Sequence, residues 1–417
     1  MQPIAPIPIL SGRRLILGVT GSISAYKAAD LASRLTQAGA LVDVILSQSA
    51  QRFVSPLTFL SVTGRRVLTD DDLWGPDAHV LHIGLAQEAH LLVIAPATAN
   101  TIAKLASGQA DTLLTLTAMA IRCPLLISPA MDAGMFEHPA TQANLATLRQ
   151  RGTIVVGPAE GRMASGQVGL GRLLEPGELV GHIRLALARE GPLAGRRIVV
   201  TAGGTQEPID PVRVVANRSS GKQGFALAQA ALDRGAAVTL ITGPSALETP
   251  IGAERIDVGT AAEMSEAVLA ASAGADALLM AAAVSDFRPA APAAEKLKRA
   301  RGPLEIRLAP TDDILVRVAA IRKKTKHPAI VVGFAAESQD LVANARAKLE
   351  AKSLSLIVAN DINAPDSGFA VDTNRVTLID SHGALQELPL MTKAEVASTI
   401  LERVVAMLGQ SPSMPGM

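Results

Sequence analysis

The chain starts twice, first with Gly12-Arg13-Arg14-Leu15-Ile16-Leu17 and again with Gly195-Arg196-Arg197-Ile198-Val199-Val200. Each stretch has a turn glycine, two basic residues and an apolar run that is typical of a buried β-strand. A turn of small residues, a helical pattern and a second strand follow both starts. Such alternation indicates βαβ units and parallel sheets. The sequence therefore predicts an α/β fold with two doubly wound Rossmann/flavodoxin-like domains in series, each with a mainly parallel sheet.

The predicted elements follow the same plan in both halves. Helices are expected at 25–38 and 224–234, and both are followed by a glycine of the kind that ends helices, Gly39 and Gly235. Strands are expected at residues 42–46, 91–95, 125–128, 153–156, 237–241, 277–280, 330–333 and 356–359, with an added edge strand at 376–379.

The length of the chain and a Gly-Pro pair indicate a domain boundary near residue 190. At 417 residues it exceeds one ordinary domain of about 150 residues. Gly191-Pro192 interrupts the pattern between the two starts. We therefore predict two domains and a disordered tail, with boundaries at 1–190, 191–405 and 406–417.

The composition excludes several classes of protein. Hydrophobic residues make up 48% of the chain and charged residues 18%, and 39 basic against 38 acidic residues give a formal charge of +1. This balance argues against a surface that binds nucleic acid or anionic membranes over its whole area. One Trp, one Tyr and seven Phe are too few for platforms that stack single-stranded nucleic acid. The single cysteine, Cys123, excludes an intramolecular disulfide framework.

The sequence contains no clear targeting or membrane segment. Residues 1–10 lack the basic start and long apolar core of a signal peptide. No uncharged apolar run reaches the roughly 18 residues of a membrane span, because Arg122 interrupts the best candidate. We therefore expect a soluble, cytoplasmic protein that acts on small molecules, with no nucleic-acid or membrane partner.

The turn after the first strand is suited to a phosphate. It reads Gly18-Val19-Thr20-Gly21-Ser22-Ile23-Ser24, and its small residues let the backbone approach a ligand at a helix N-terminus. A plain turn capped by Ser22 or Ser24 explains this stretch equally well. A dinucleotide site needs G-x-G-x-x-G and a carboxylate after the second strand, where this chain has Ser47-Gln48-Ser49. A mononucleotide such as FMN fits better.

Longer motifs carry a more specific resemblance. Three motifs in the first half resemble flavin-dependent cysteine decarboxylases: Gly21-Ser22-Ile23-Ser24-Ala25-Tyr26-Lys27, Ala95-Pro96-Ala97-Thr98-Ala99-Asn100 and Pro129-Ala130-Met131-Asp132-Ala133-Gly134-Met135-Phe136. Four in the second half resemble phosphopantothenate–cysteine ligase: Ala216-Asn217-Arg218-Ser219-Ser220-Gly221-Lys222, Ala281-Ala282-Ala283-Val284-Ser285-Asp286-Phe287-Arg288, Glu295-Lys296-Leu297-Lys298-Arg299 and Gly333-Phe334-Ala335-Ala336-Glu337. Together they resemble the bifunctional phosphopantothenoylcysteine decarboxylase/phosphopantothenate–cysteine ligase family of coenzyme A biosynthesis, over about residues 10–405.

For residues 191–405 the resemblance implies a ligase that uses CTP and Mg²⁺. Asn217 would hold an acyl-cytidylate, Lys296 would stabilise charge on the triphosphate, and Asp286 would meet the cytidine or the metal. The implied CTP and substrate set is Ser219, Ser220, Gly221, Lys222, Ala281, Ala282, Asp286, Asp312, Asp313, Ile314, Leu315, Phe334, Lys348 and Lys352.

Plainer readings of the same lysines stay open. Lys296, Lys298 and Arg299 form a basic run of a kind that is usually solvated, and Lys348 and Lys352 have the spacing of one exposed helix face.

For residues 1–190 the resemblance implies an FMN-dependent decarboxylase. His82 would be its catalytic histidine, in preference to His79, with Asp132 as the substrate anchor and Ser165 in the loop of the proton donor. The implied FMN set is Gly21, Ser22, Ile23, Ser47, Ala95, Pro96, Ala97, Thr98 and Asn100.

Two of these positions depart from the family pattern. The anchor is commonly Asn, and an ionised Asp132 would repel a substrate carboxylate. The donor is commonly Cys, and the Ser165 hydroxyl is a far weaker acid than a thiol of pKa about 8.5. Cys123 is not an obvious substitute because it precedes a strand. Two alternatives follow: a ligase whose first half is only a flavin-binding structural or regulatory module, and, from fold analogy alone, a tandem nicotinamide dehydrogenase.

The resemblance also implies self-association. The family builds decarboxylase trimers and ligase dimers, which combine into a dodecamer, so a homo-oligomer is expected.

Overall fold

The structure is a computed structural model that describes residues 6–74, 80–298, 304–337, 340–361 and 371–410. The chain divides into two compact units, Met1–Ala188 and Arg189–Met417.

The first unit alternates strands with helices. Its strands are β1 (Arg14–Val19), β2 (Leu41–Leu46), β3 (Leu91–Ala97), β4 (Leu125–Pro129), β5 (Ile154–Val155), β6 (Ala159–Arg162) and β7 (Val168–Arg172). Its helices are α1 (Ala25–Gln37), α2 (Pro56–Thr63), α3 (Leu81–Glu88), α4 (Ala99–Ser107), α5 (Leu113–Ala120), α6 (Ala133–Glu137), α7 (Pro139–Gln150) and α8 (Pro176–Ala188). The order confirms the predicted α/β class.

The first sheet has the strand order of flavodoxin-like folds. Its order is β2-β1-β3-β4-β5, and every neighbouring pair is parallel. The order reverses between β1 and β3, where ligands bind at the carboxyl ends of the strands. The antiparallel hairpin of β6 and β7 lies outside this sheet and was not predicted.

Strand β1 is buried on both faces. Leu15, Leu17 and Val19 belong to one apolar cluster and Ile16 to another. Successive side chains of a strand point to opposite faces, so each face of the sheet has its own core. The continuous apolar run seen in the sequence is therefore a consequence of helices covering both faces.

The second unit repeats this architecture with more strands. Its strands are β8 (Arg197–Ala202), β9 (Gln206–Pro208), β10 (Val214–Ala216), β11 (Ala237–Thr242), β12 (Ala253–Asp257), β13 (Ala277–Met280), β14 (Phe287–Pro289), β15 (Leu308–Pro310), β16 (Ile330–Glu337), β17 (Leu356–Asp361), β18 (Thr373–Asn374), β19 (Val376–Asp380), β20 (Leu385–Glu387) and β21 (Met391–Thr392). Its helices are α9 (Lys222–Leu232), α10 (Ala261–Ser272), α11 (Ile314–Thr325), α12 (Leu341–Ala351) and α13 (Lys393–Gln410).

The second sheet follows the Rossmann order. The order β12-β11-β8-β13-β16-β17 is parallel throughout, and β19 and β20 extend it as antiparallel strands. The strand predicted at 376–379 is present as β19, but the prediction that it forms the edge was wrong, because β20 pairs with it and forms the edge. Strands β20 and β12 are rich in charged and polar residues, which hides them from an apolar pattern.

The predicted tail also begins too early. Helix α13 extends through Gln410, and its apolar residues Ile400, Leu401 and Val404 are fully buried. Residues 411–417 lie outside the described part of the chain. None of the described helices combines the length and low charge that crossing a bilayer requires.

Candidate active sites

The first unit has a cavity of about 460 Å³ where β1 to β4 end. Five residues of the predicted FMN set line it: Gly21, Ser22, Ser47, Thr98 and Asn100. The other four do not. The side chain of Ile23 is exposed, and Ala95, Pro96 and Ala97 are buried within β3.

Two strand ends are joined directly beside this cavity. The Thr20 hydroxyl donates to the Pro96 carbonyl oxygen at 2.7 Å and accepts from the Thr98 backbone N–H at 3.0 Å. A Cβ atom on Gly21 would lie 2.4 Å from the Cβ of Ser49. Only glycine therefore allows these two loops to approach so closely, which explains the residue type at position 21.

Several residues of the cavity were missed in the sequence. Thr112 and Thr115 form a capping box at the start of α5, and Asp70 accepts from the Leu113 backbone N–H at 2.9 Å. A Thr-x-x-Thr pattern before an apolar run was the available signal. The remaining lining residues that were not predicted are Thr20, Gln48, Ser49, Ala99, Thr101, Lys104, Leu114, Ala130, Met131 and Met135.

The cavity suits a phosphorylated planar ligand. Its volume falls in the range of about 300–1,000 Å³ typical of small-molecule sites. Helices α4 and α5 begin at its wall, and their N-termini together with the hydroxyls of Ser22 and Ser47 favour an anion. Leu114 and Met131 supply apolar wall. The residues therefore fit a flavin mononucleotide.

Asp132 and Ser165 are brought together although they are far apart in the chain. The Ser165 hydroxyl donates to Asp132 Oδ2 at 2.7 Å, while Asp132 Oδ1 accepts from the Gly134 N–H at 3.1 Å and caps α6. Ser165 lies in the turn of the β6–β7 hairpin. The Met131 N–H donates to the Gly171 carbonyl at 3.0 Å, which fixes the hairpin against the Asp132 segment.

The hairpin is also anchored at its base. The Lys27 side chain is almost fully buried and binds Glu175 at 2.7 Å. The hydrogen bond from Lys27 is the main cause that lowers the pKa of the Glu175 carboxyl. Arg172 of β7 binds the same carboxylate at 2.9 Å. This anchor was not predicted.

His82 and Cys123, which the sequence also singled out in this half, lie apart from the cavity wall. His82 is half-buried on α3 and does not line the cavity. His79 lies outside the described residues. Burial raises the pKa of the half-buried Cys123 thiol, which disfavours the reactive thiolate.

In the second unit, close backbone packing brings the predicted ligase motifs together. A Cβ on Gly204 would lie 2.9 Å from the Asn217 carbonyl oxygen. The Asn217 amide donates to the Val284 carbonyl at 3.0 Å. Asn217 therefore adjoins the segment that contains Ala281, Ala282 and Asp286, as the motif reading requires.

A second set of contacts joins Asp286 to the predicted 312–315 turn. The Thr311 backbone N–H donates to the Asp286 carbonyl at 2.9 Å. Asp313 caps α11 and pairs with Lys352 at 2.9 Å. Ile314 is buried in the core, so its side chain serves packing, and Phe334 lies on β16. The described contacts thus link Asn217, the 281–286 segment, the turn and Lys352.

Lys296 is exposed, but the residue after it is fixed. The Leu297 N–H donates to Asp210 Oδ2 at 3.1 Å, and the Leu297 carbonyl accepts from the Arg213 guanidinium. Arg213 also pairs with Asp210 at 3.0 Å. Arg299 lies outside the described residues.

The Asp210 side chain is fully buried within this clamp. Burial by itself raises the pKa of the Asp210 carboxyl, but hydrogen bonds from three backbone N–H groups and the charge of Arg213 outweigh it and hold the pKa below its ordinary value. Asp210 was not predicted as a site residue, because its role depends on a contact with a segment far along the chain.

Comparison with known proteins covers both halves. A model described as flavoprotein matches residues 9–187, and a model described as DNA/pantothenate metabolism flavoprotein C-terminal domain matches residues 193–408. The coenzyme A biosynthesis bifunctional protein CoaBC of Bacillus subtilis (strain 168) is 45% identical over 97% of this chain and 99% of its own. The chain belongs to the coenzyme A biosynthesis bifunctional protein family.

Two further members of the bifunctional family are similar to this chain. The protein of the same name from Vibrio vulnificus (strain CMCP6) is 43% identical over 96% of this chain and 99% of its own. A solved C-terminal domain of a coenzyme A biosynthesis bifunctional protein CoaBC is 38% identical, covers 53% of this chain and all of that one, and superposes with a TM-score of 0.45. The identities of 45% and 43% over nearly the whole chain confirm the resemblance drawn from the motifs at the level of the family.

Proposed function

We propose that this chain catalyses two consecutive steps of coenzyme A biosynthesis. The second unit joins cysteine to 4′-phosphopantothenate, and the first decarboxylates the resulting 4′-phosphopantothenoylcysteine to 4′-phosphopantetheine. The observation that carries this proposal is the 45% identity to a bifunctional relative over 97% of the chain. Both sets of motifs lie within the matched length.

In the ligation, the pantothenate carboxylate attacks the α-phosphorus of CTP and pyrophosphate leaves. The amine of cysteine then attacks the acyl carbon of the acyl-cytidylate and CMP leaves. Asn217, held by its bond to Val284, orients the acyl group, and Lys296 balances the charge that develops on the triphosphate. The turn at Asp313, with Lys348 and Lys352, completes the nucleotide site.

The metal in this step is proposed to be Mg²⁺ bound with the nucleotide. Within the described ranges, no three His, Cys, Asp or Glu side chains cluster as a metal site would require. The exposed Asp286 carboxylate suits a Mg²⁺ ion, because Mg²⁺ is usually bound by one or two carboxylates together with substrate phosphates and water.

In the decarboxylation, the cavity of the first unit would hold FMN, with Ser22 and Ser47 toward its phosphate. The flavin supplies the oxidation and reduction at the thiol-bearing carbon. The chain's own residues bind the substrate and supply the proton. The Ser165 hydroxyl donates a hydrogen bond to the Asp132 carboxylate, so these two residues share one site for proton exchange. His82 is the proposed base of the decarboxylation.

A ligase with a flavin-binding first half remains the second candidate. The observation that favours it is the Asp132–Ser165 pair, which replaces the amide and thiol of the common pattern. Yellow purified protein that leaves added phosphopantothenoylcysteine intact would support this candidate.

The test is a coupled assay by mass spectrometry. The protein is incubated with 4′-phosphopantothenate, cysteine, CTP and Mg²⁺. We expect phosphopantothenoylcysteine to form and then to lose CO₂. Failure to form it contradicts the ligase, whereas a product that persists contradicts only the decarboxylase. The assay is repeated with Asp132→Asn, which keeps an oxygen for the α6 cap but removes the charge.

Ser165→Ala is expected to slow decarboxylation by about 10²- to 10⁴-fold, because a positioned proton donor contributes about that much. Ser165→Cys should restore turnover, since a thiol is the stronger acid. The loss of CO₂ is followed by mass with ligation as the internal reference. Ser61→Ala is the control, because Ser61 is an exposed serine whose hydroxyl donates to the Leu57 carbonyl within α2. Full turnover in Ser165→Ala would show that the proton comes from elsewhere.

Asp210→Asn is expected to slow ligation about ten- to hundredfold, because a small displacement of Lys296 removes it from productive geometry. The variant replaces an acceptor of the Leu297 N–H and weakens the pair with Arg213. Initial rates of phosphopantothenoylcysteine formation measure the effect.

The control is Asp276→Asn, which alters a carboxylate that also accepts a backbone N–H and pairs with Arg196, but at the other end of the sheet. If Asp210 acts by positioning Lys296, the double variant Asp210→Asn/Lys296→Gln should have nearly the same ligation rate as Lys296→Gln alone. Independent losses in the double variant would indicate a purely structural role.

The proposed assembly places an interface on the hairpins of the second unit. Val212 and Val214 at the β9–β10 hairpin and Phe287 and Leu308 at the β14–β15 hairpin are exposed. Strands β9 and β14 contact each other, and exposed apolar groups on adjacent hairpins favour a protein partner, here the second ligase unit of a dimer. Val214→Asp is expected to lower the mass in light scattering about fourfold, from dodecamers to trimers. Leu385→Asp, on the edge strand β20, should not change it, and an unchanged mass in Val214→Asp contradicts this interface.

A further inference from the structure

Asp286 is exposed, but the two peptide groups beside its Cα atom are held by a single residue. The Thr311 hydroxyl donates to the Ser285 carbonyl oxygen at 2.6 Å, and the Thr311 backbone N–H donates to the Asp286 carbonyl oxygen at 2.9 Å. These two carbonyls belong to the peptide groups that precede and follow the Asp286 Cα. Each hydrogen bond fixes the orientation of one rigid peptide plane, so together they restrict both backbone dihedral angles of Asp286. The direction of the Asp286 side chain therefore depends on Thr311.

The two bonds differ in what they require of the sequence. Strands β14 and β15 pair Phe287 with Pro310, so Thr311 follows this pair and lies opposite Asp286. Pro310 has no backbone N–H and cannot donate to the ladder. Almost any residue at position 311 would supply the backbone N–H, but the bond to the Ser285 carbonyl needs a short side-chain donor such as the threonine hydroxyl.

The chain before Asp286 is held separately, by Thr205. The Ser285 backbone N–H donates to the Thr205 hydroxyl at 2.9 Å, and the Ser285 hydroxyl donates to the Thr205 carbonyl at 3.4 Å. Both residues are buried. These bonds fix the backbone up to Ser285, whereas the bonds from Thr311 fix the two peptide groups that follow. Loss of the Thr311 hydroxyl would therefore free the peptide group that joins Ser285 to Asp286 without releasing the rest of the segment.

We propose that Thr311 is a positioning residue of the ligation, which directs the Asp286 carboxylate toward the Mg²⁺ that is bound with CTP. It acts through the Ser285 and Asp286 carbonyls. The role rests on the proposed function, because that function supplies the nucleotide and the metal. A displacement of about 1 Å in a catalytic constellation can cost about 10²-fold in rate, so one hydroxyl that sets a carboxylate is enough to affect turnover.

The test compares Thr311→Val with Thr311→Ser in the full chain. Valine keeps the branched shape and the backbone N–H but removes the hydroxyl, whereas serine keeps a hydroxyl for the Ser285 carbonyl. In the ligation assay, Thr311→Val is expected to raise the Mg²⁺ concentration for half-maximal rate about two- to tenfold, the effect of one lost hydrogen bond, and Thr311→Ser should restore it. The KM for cysteine should not change, because cysteine reacts after the nucleotide step.

Thr399→Val is the matched control. Thr399 is also half-buried, and its hydroxyl donates to the Glu395 carbonyl at 3.1 Å within α13. Its Mg²⁺ dependence should equal that of the wild type. Thr311→Ala removes the same hydroxyl and gives the result if the valine variant does not fold.

Calorimetric titration with CTP gives a readout that does not depend on turnover. Thr311→Val should bind CTP about two- to tenfold more weakly than the wild type in Mg²⁺, and as well as the wild type in EDTA. Because Thr311 acts through Asp286, the double variant Thr311→Val/Asp286→Asn should bind CTP in Mg²⁺ as Asp286→Asn alone does.

Unchanged affinity of Thr311→Val in Mg²⁺ overturns the proposal, and so does equal weakening in Mg²⁺ and EDTA or an additive loss in the double variant. Failure of the wild type to form phosphopantothenoylcysteine would contradict the proposed function instead, and the CTP titrations would still decide the role of Thr311.

Discussion

Lys296→Gln is expected to reduce the rate of ligation by about 10²- to 10³-fold, the usual loss when one positioned donor to a developing negative charge is removed. Glutamine keeps a donor but loses the cation that balances the triphosphate as pyrophosphate departs. Because Lys296 is exposed and its neighbour Leu297 makes the clamp contacts through its backbone, the substitution should leave the fold unchanged. Phosphopantothenoylcysteine formation by mass, under saturating CTP, measures the effect.

Lys298→Gln provides the matched control. Lys298 is exposed, carries the same charge and lies two residues along the same segment. If the basic run is only solvated, both variants should lower the ligation rate equally little. If Lys296 has a specific role, only Lys296→Gln should lower the rate strongly. Equal rates in the two variants would therefore refute the role given to Lys296.

Gly21→Val is expected to yield protein without flavin. A Cβ at this position already lies 2.4 Å from the Cβ of Ser49, and valine adds two methyl groups at the wall of the cavity. Overpacking of this kind costs about 1–3 kcal/mol, which is about 5- to 150-fold in affinity. The flavin absorbance per protein and the fluorescence of released flavin measure the loss, and ligation by the second unit should continue at the wild-type rate.

Gly177→Ala is the control, because that glycine lies in α8 and an added Cβ would meet no atom within 4 Å. A Gly21→Val protein that retains stoichiometric flavin would mean that the cofactor binds away from this cavity. Joint loss of flavin and of ligation would instead indicate that the two units do not act independently.

The sequence predicted the parts of the fold that burial controls. Strands such as β1 and β8 are covered on both faces, so they are continuous apolar runs that a pattern identifies. The β6–β7 hairpin was missed because its strands contain alternating small and polar residues, with three glycines and no long apolar run. Its position depends on contacts with Lys27 and the Asp132 segment, which no local pattern shows.

The sites show the same difference between local patterns, which were recognised, and contacts between distant residues, which were not. Gly21 and Asn217 were identified because their motifs are local, and the structure places both among the expected neighbours. Asp210 was missed because its carboxylate accepts from the backbone of Leu297, far away in the chain. Pairing of Ser165 with Asp132 was equally hidden, although both residues had been singled out separately.

The separation of the apolar cores of the two units bears on how such a protein changes over generations. Two apolar clusters cover the two faces of the sheet of β1 to β5, a third packs against β8 and its neighbours, and each contains residues of one unit. A substitution that loosens one core leaves the packing of the other intact. Drift at Asp132 or Ser165 therefore needs no compensating change in the ligase half, and a lineage can remodel one chemistry while the other continues to supply the cell.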